Sequence, residues 1–167
     1  AGTDSVTYAS ASTPVAVNLA LGTATKSDGL DTLISIENVF GGIADDILTG
    51  NSSDNVMYGL DGDDILDGDD GDDFLYGGLG DDTIRGGAGV DTIFYAAVTG
   101  PVTVNLALGT ASGAEGNDTL TGIEFVFGGS FSDVLTGNDD DNHLFASDGA
   151  DVLNGGGGDD FLDGSFG

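Results

Sequence analysis

The sequence predicts an all-β solenoid, in which short parallel strands alternate with tight turns. Three observations predict it. A nine-residue phrase recurs in register, its eighth place is always apolar, and its first six places are rich in glycine and aspartate. From Gly41 the phrase runs six times without a break: GGIADDILT, GNSSDNVMY, GLDGDDILD, GDDGDDFLY, GGLGDDTIR, GGAGVDTIF. From Gly128 it runs four more times: GGSFSDVLT, GNDDDNHLF, ASDGADVLN, GGGGDDFLD.

The eighth place supplies the strands and the core. It holds Leu48, Met57, Leu66, Leu75, Ile84 and Ile93, then Leu135, Leu144, Leu153 and Leu162. Nine is far from a multiple of 3.6, so a helix would scatter these residues around its whole surface. A strand over places 7–9 followed by a six-residue turn puts them all on one inner wall. Alternate phrases then build two parallel sheets around a narrow core.

The turn accounts for the other letters. A chain that reverses within six residues needs positive φ or close backbone approach, which glycine permits. Such a turn gathers carbonyl oxygens at one edge, and place 6 adds a carboxylate: Asp46, Asp64, Asp73, Asp82, Asp91, Asp133, Asp151 and Asp160. Oxygen ligands without sulfur or clustered imidazole suit a hard cation. Calcium accepts six to eight such oxygens in flexible geometry, whereas magnesium holds to an octahedron and its own waters.

GGLGDDTIR and GGAGVDTIF fit the pattern G-G-x-G-x-D-x-U-x at every fixed place. The chain thereby resembles the repeats-in-toxin (RTX), or haemolysin-type, calcium-binding nonapeptide family. The resemblance implies a right-handed parallel β-roll with several Ca2+ ions, each between turns two phrases apart on one edge. Carried onto this chain, it pairs Asp64 with Asp82, Asp73 with Asp91, Asp46 with Asp64, and Asp133 with Asp151. Asn55 and Asn142 stand where the aspartate belongs, and Ala44 and Phe131 replace the third glycine. Weaker or empty sites are expected there, and Asn55→Asp is expected to add affinity.

A longer period lies over the short one. Residues 8–40 and 95–127 are two related inserts of 33 residues, spaced 87 apart. The chain thus divides into super-repeats at 1–87 (insert 8–40, array 41–94 running on) and 88–167 (insert 95–127, array 128–167). VAVNLALGTA and VTVNLALGTA alternate apolar and polar residues as half-buried strands do. GAEGNDTLT is itself a near-phrase with Asp118 at place 6, and its counterpart is Asp31. One reading continues the solenoid through the inserts with longer loops, so that Asp31 meets Asp46 and Asp118 meets Asp133. The other makes each insert a small separate packing unit. Because the sequence begins and ends inside a phrase, it is expected to be a slice of a longer protein.

Composition excludes several classes. Thirty acidic residues face two basic ones, a net charge of −28, so nucleic acid and anionic membrane are poor partners. There is no cysteine, hence no disulfide or thiolate site. No apolar run reaches membrane-spanning length and the N-terminus has no signal pattern. "DGDDILDGDDGDD" lacks the central glycine and closing glutamate of an EF-hand. The glycines recur throughout with no helix after them, unlike a dinucleotide loop. His143 is the only histidine, which excludes an HExxH zinc site and leaves a Ser-His-Asp triad without support. It is expected to face solvent. Ile47, Val56, Ile65 and Phe74, at place 7, are expected to form an outward apolar stripe, either through strand propensity alone or as a docking surface for a neighbouring protein segment.

Two functional readings follow. The first is a calcium-folded structural or spacer module of a large secreted or surface-attached bacterial protein, flanked by further repeats, exported unfolded by a type I route and not an enzyme. The second is the calcium-folded tail of a secreted protease, lipase or epimerase. An ice-binding solenoid would need flat outward ranks of threonine, and place 9 reads Thr49, Tyr58, Asp67, Tyr76, Arg85, Phe94.

Overall fold

The computed structural model describes residues 2–95 and 98–165. Among these residues all regular structure is strand, arranged in two sheets. The first sheet stacks Ser5–Thr7, Asn38–Phe40, Val56–Asp61, Phe74–Leu79, Thr92–Phe94, Phe125–Phe127, His143–Phe145 and Phe161–Asp163, every pair parallel. Its inward column runs Val6, Val39, Met57, Leu75, Ile93, Val126, Leu144, Leu162 in register. The second sheet takes the alternate phrases, and there Leu48, Leu66 and Ile84 form the matching column. Leu48, Met57, Leu66, Leu75, Ile84 and Ile93 are all 0% exposed, so place 8 is the core. Leu162 is 42% exposed because its strand lies at the end of the first sheet.

The inserts join this solenoid in a way the parallel reading does not foresee. Each contributes a three-stranded antiparallel meander to the second sheet: Ala16–Asn18, Thr23–Lys26 and Gly29–Thr32, then Thr103–Asn105, Thr110–Ser112 and Asn117–Thr121. The chain lands ahead, on the strand that pairs with Val134–Thr136, and then folds back until Asn117–Thr121 pairs with Thr83–Ala88. The local cause is a tight hairpin in NLALGT. Asn105 Oδ1 accepts the Leu108 N–H at 2.9 Å, and Gly109 takes φ 65°, a value that favours glycine. Asn18, Leu21 and Gly22 repeat this arrangement. In the first sheet Thr92–Phe94 pairs directly with Phe125–Phe127. The second sheet therefore gains two strands per insert that the first sheet lacks, about 10 Å of extra width at the usual strand spacing.

The two outer faces differ. Phe40, Tyr58 and Tyr76 form one aromatic row on the first sheet, and Phe94, Phe127 and Phe145 continue it. Phe40–Tyr58 and Phe127–Phe145 stack with centroids 4.8 and 4.6 Å apart. His143, expected in solvent, is half-buried and stacks on Phe125 at 4.2 Å. The expected stripe does not exist as one surface. Ile47 pairs with Ile65 on the second sheet and Val56 with Phe74 on the first, because successive phrases go to opposite faces.

Candidate metal centre

The place-6 residues line the two edges where the chain leaves each turn and enters a strand. All are buried except Asp151 and Asp160, which are half-buried near the end of the chain, and stacked pairs are tied together in the same way. The backbone N–H of one place-6 residue donates to Oδ1 of the place-6 residue stacked on it. Asp46 thus donates to Asp64 at 2.7 Å, and Asp64 to Asp82 at 2.8 Å. On the other edge Asn55 donates to Asp73 at 2.7 Å, and Asp73 to Asp91 at 2.9 Å. Asp133 donates to Asp151 at 2.8 Å and Asn142 to Asp160 at 3.0 Å. The structure thus stacks Asp64 on Asp82, Asp73 on Asp91, Asp46 on Asp64 and Asp133 on Asp151.

The second carboxylate oxygen sorts the turns into two kinds. Oδ2 of Asp64, Asp73, Asp82, Asp91 and Asp151 is buried and has no hydrogen-bond partner. In these phrases places 2 and 4 both have positive φ: Leu60 and Gly62, Asp69 and Gly71, Gly78 and Gly80, Gly87 and Gly89, Ser147 and Gly149. Gly156 and Gly158 give the Asp160 turn the same backbone. These six turns are open. A positive φ at Leu60, Asp69 and Ser147 costs roughly 1–3 kcal/mol each, so something must repay it.

The other four turns are closed. Place 4 is Ala44, Ser53, Phe131 or Asp140, none of which takes positive φ. The place-6 side chain instead folds back onto the place-2 N–H of its own turn. Asp46 Oδ2 accepts from Gly42, Asn55 Oδ1 from Asn51 at 2.8 Å, Asp133 Oδ2 from Gly129 at 2.7 Å, and Asn142 Oδ1 from Asn138 at 2.8 Å. Asp46 and Asp133 show that an aspartate at place 6 does not by itself leave an oxygen free. The glycine at place 4 decides.

An open turn fits a cation. The carbonyls of stacked turns crowd together here: a Cβ added at Gly80 would overlap the Gly62 carbonyl, and one at Gly89 the Gly71 carbonyl. A Cβ at Gly68 or Gly77 would overlap the free Oδ2 of Asp73 or Asp82. Burial pushes the carboxyls of Asp73 and Asp82 up to about 7 and those of Asp64 and Asp91 up to about 6, and neighbouring carboxylates add to the rise while backbone N–H donation opposes it. A buried anion without a partner is costly, and a cation removes the cost. Among the described residues no three Asp, Glu, His or Cys side chains converge. The donor set is therefore one carboxylate per turn plus backbone carbonyls, which is the oxygen chemistry of calcium.

The inserts treat their carboxylates differently. Asp118 stacks on Asp82, whose N–H donates to its Oδ1 at 3.1 Å, and not on Asp133 as the sequence suggested. The meander reverses the order of the strands, so the place beside Asp133 belongs to Val102, whose N–H donates to Asp133 Oδ1 at 2.9 Å. Val15 likewise takes the place beside Asp46 that was expected for Asp31. Asp118 Oδ2 accepts the buried Tyr95 hydroxyl at 2.6 Å, and Asp31 Oδ2 accepts the Tyr8 hydroxyl at 3.1 Å.

Sequence reasoning missed Glu37 and Glu124. Glu124 Oε2 accepts the Asp91 N–H at 2.9 Å and Glu37 Oε2 accepts the Asp4 N–H at 2.9 Å, the place-6 contact in each case. The signal was present, since each glutamate directly precedes an x-Val-Phe strand, but it follows Asp31 or Asp118 by six positions where the phrase would set nine. Place 5 makes a regular contact as well: Asp45, Asp54, Asp63 and Asp72 accept N–H groups one coil onward, at 2.8–3.0 Å.

The model of the RTX calcium-binding nonapeptide repeat, four copies long, matches residues 40–75, 67–97 and 136–167, more than half of the chain. No curated protein matches it.

Proposed function

The chain belongs to the RTX calcium-binding nonapeptide repeat family, and on that premise we propose that it is a calcium-folded structural module of a secreted or surface-attached bacterial protein. Its ions sit at the six open turns, held through Asp64, Asp73, Asp82, Asp91, Asp151 and Asp160. The observation that carries this reading is that buried, unpartnered Oδ2 atoms occur at five of these six positive-φ turns and at none of the closed ones, Asp160 being assigned from its backbone alone. Proteins with these repeats are typically secreted. Extracellular calcium modules bind with dissociation constants near about 0.1–1 mM, so the turns fill outside a cell and empty inside it. Export unfolded and folding on arrival follow from that difference. The 87-residue super-repeat, with continuous sheets through both inserts, suits a stiff spacer without catalysis of its own.

The turns can be interconverted to test this reading. Asn55→Asp alone is expected to leave the calcium stoichiometry unchanged, because Ser53 keeps the turn closed. Ser53→Gly with Asn55→Asp is expected to add one ion in isothermal titration of the whole chain. An extra ion from Asn55→Asp alone, or none from the double variant, would refute the assignment of place 4 as the gate.

A further inference from the structure

The closed turns lie together in the chain. Each array begins with two of them, directly after an insert, and the open turns come next. Among the described residues, segments 8–58 and 95–145 therefore contain no buried carboxylate oxygen without a hydrogen-bond partner. In the second of these, Asp118 is held from within the segment by Tyr95 Oη, and Asp133 by Val102 N–H and Gly129 N–H. Asn142 Oδ1 is held by Asn138 N–H, while Glu124 takes the Asp91 N–H of the preceding open-turn stretch. Among the described residues of this segment, the buried side-chain atom without a partner is the neutral Nδ2 of Asn142. By contrast, residues 59–94 hold four unpartnered carboxylate oxygens, and their eleven acidic residues face one arginine.

We propose that 95–145, and by the same construction 8–58, folds without the cation, so that calcium switches only the open-turn stretches between and after them. The proposal rests on the calcium reading of the open turns. Two further features support it. The segment supplies a dense part of the common core, in which Val98, Val102, Val104, Ala111, Ile123 and Val126 are at most 7% exposed. Its meander pairs Thr103 with Ser112 and Thr110 with Thr119, contacts nine residues apart in sequence, which cost less loop entropy than the eighteen-residue steps of the open turns. Tyr95 has the central part. Its hydroxyl takes the Asp118 oxygen that an open turn leaves for an ion, so the insert ends the column of cation sites that begins at Asp64. The calcium-free state is then a chain of folded islands joined by acidic disordered links.

Hydrogen–deuterium exchange of the 167-residue chain, in saturating calcium and in excess chelator, tests this directly. Chelation is expected to abolish protection in 65–94 and to leave 103–112 and 134–145 protected. If all these segments lose protection together, the islands do not exist and the proposal is overturned, while the calcium reading stands. If chelation changes nothing in 65–94, the calcium reading fails and the proposal fails with it. Tyr95→Phe is expected to speed exchange in 103–112 on the order of tenfold in chelator, the cost of one buried charge-assisted hydrogen bond, and to leave protection of 65–94 in calcium intact. Unchanged exchange in this variant would remove the hydroxyl from the account.

Discussion

Excess chelator at pH 8 is expected to remove much of the strand signal of this protein from its circular dichroism spectrum. Suppose the six open turns each bind calcium with a dissociation constant of about 1 mM. At about 10 mM calcium each contributes roughly 1.4 kcal/mol, and the set about 8 kcal/mol. That is comparable to the whole stability of an ordinary domain, about 5–15 kcal/mol. At micromolar calcium the same contribution vanishes. Acid is expected to restore part of what chelation removes, and the sign follows from the carboxyls. Asp64 and Asp91 stand at about 6 and Asp73 and Asp82 at about 7 in the fold, above the roughly 3.9 of an unfolded aspartate. The fold therefore binds these protons more tightly, and its stability without calcium is highest below about pH 4 and falls as pH rises through 6 and 7. With calcium the dependence reverses, since the ion must displace those protons. A chelated chain with the same spectrum at pH 4.5 and pH 8 would contradict the burial of these carboxylates.

The second large effect is expected from Gly80→Ala. Gly80 has φ 138°, and its missing Cβ is what lets the Gly62 carbonyl pack beneath it. Gly116 stacks on Gly80 in the same way from the other side. A methyl group adds backbone strain of about 1–3 kcal/mol and collides with main chain that cannot swing aside. The variant is expected to lose at least one calcium ion and to unfold at clearly lower denaturant in saturating calcium. Gly2→Ala, where nothing lies within 4 Å, is the control and should match the parent. Equal midpoints for both variants would mean that the turns tolerate side chains and that glycine is incidental.

The regular part of the molecule was legible because its period is rigid. Place 8 had to be apolar in every phrase, and one residue of slip would have turned Leu66 or Leu75 outward. The place-6 column followed from the same clock. The insert broke that clock. Asp118 looks like the place-6 residue before Asp133, and only the fold-back of the meander puts it beside Asp82. That reversal depends on pairing between strands distant in sequence, which a local pattern does not carry. The apolar stripe failed for a simpler reason: successive phrases lie on opposite sheets, so residues nine apart do not share a face. The closed turns were partly legible in Ala44 and Phe131. Ser53 and Asp140 carried the same information, but the asparagines at place 6 drew attention to the ligand and away from the backbone. Tyr95 gave no sign of its role, because its partner lies 23 residues on and the contact is made only in the folded chain.

The central claim is that glycine at place 4, through the backbone it permits, decides which turns hold calcium. Anomalous diffraction from crystals grown in calcium measures this turn by turn. The account predicts ions at the turns of Asp64, Asp73, Asp82, Asp91, Asp151 and Asp160, and none bound through Asp46, Asn55, Asp133 or Asn142. Ions of equal occupancy at the closed turns, or open turns that stay empty in saturating calcium, would contradict it.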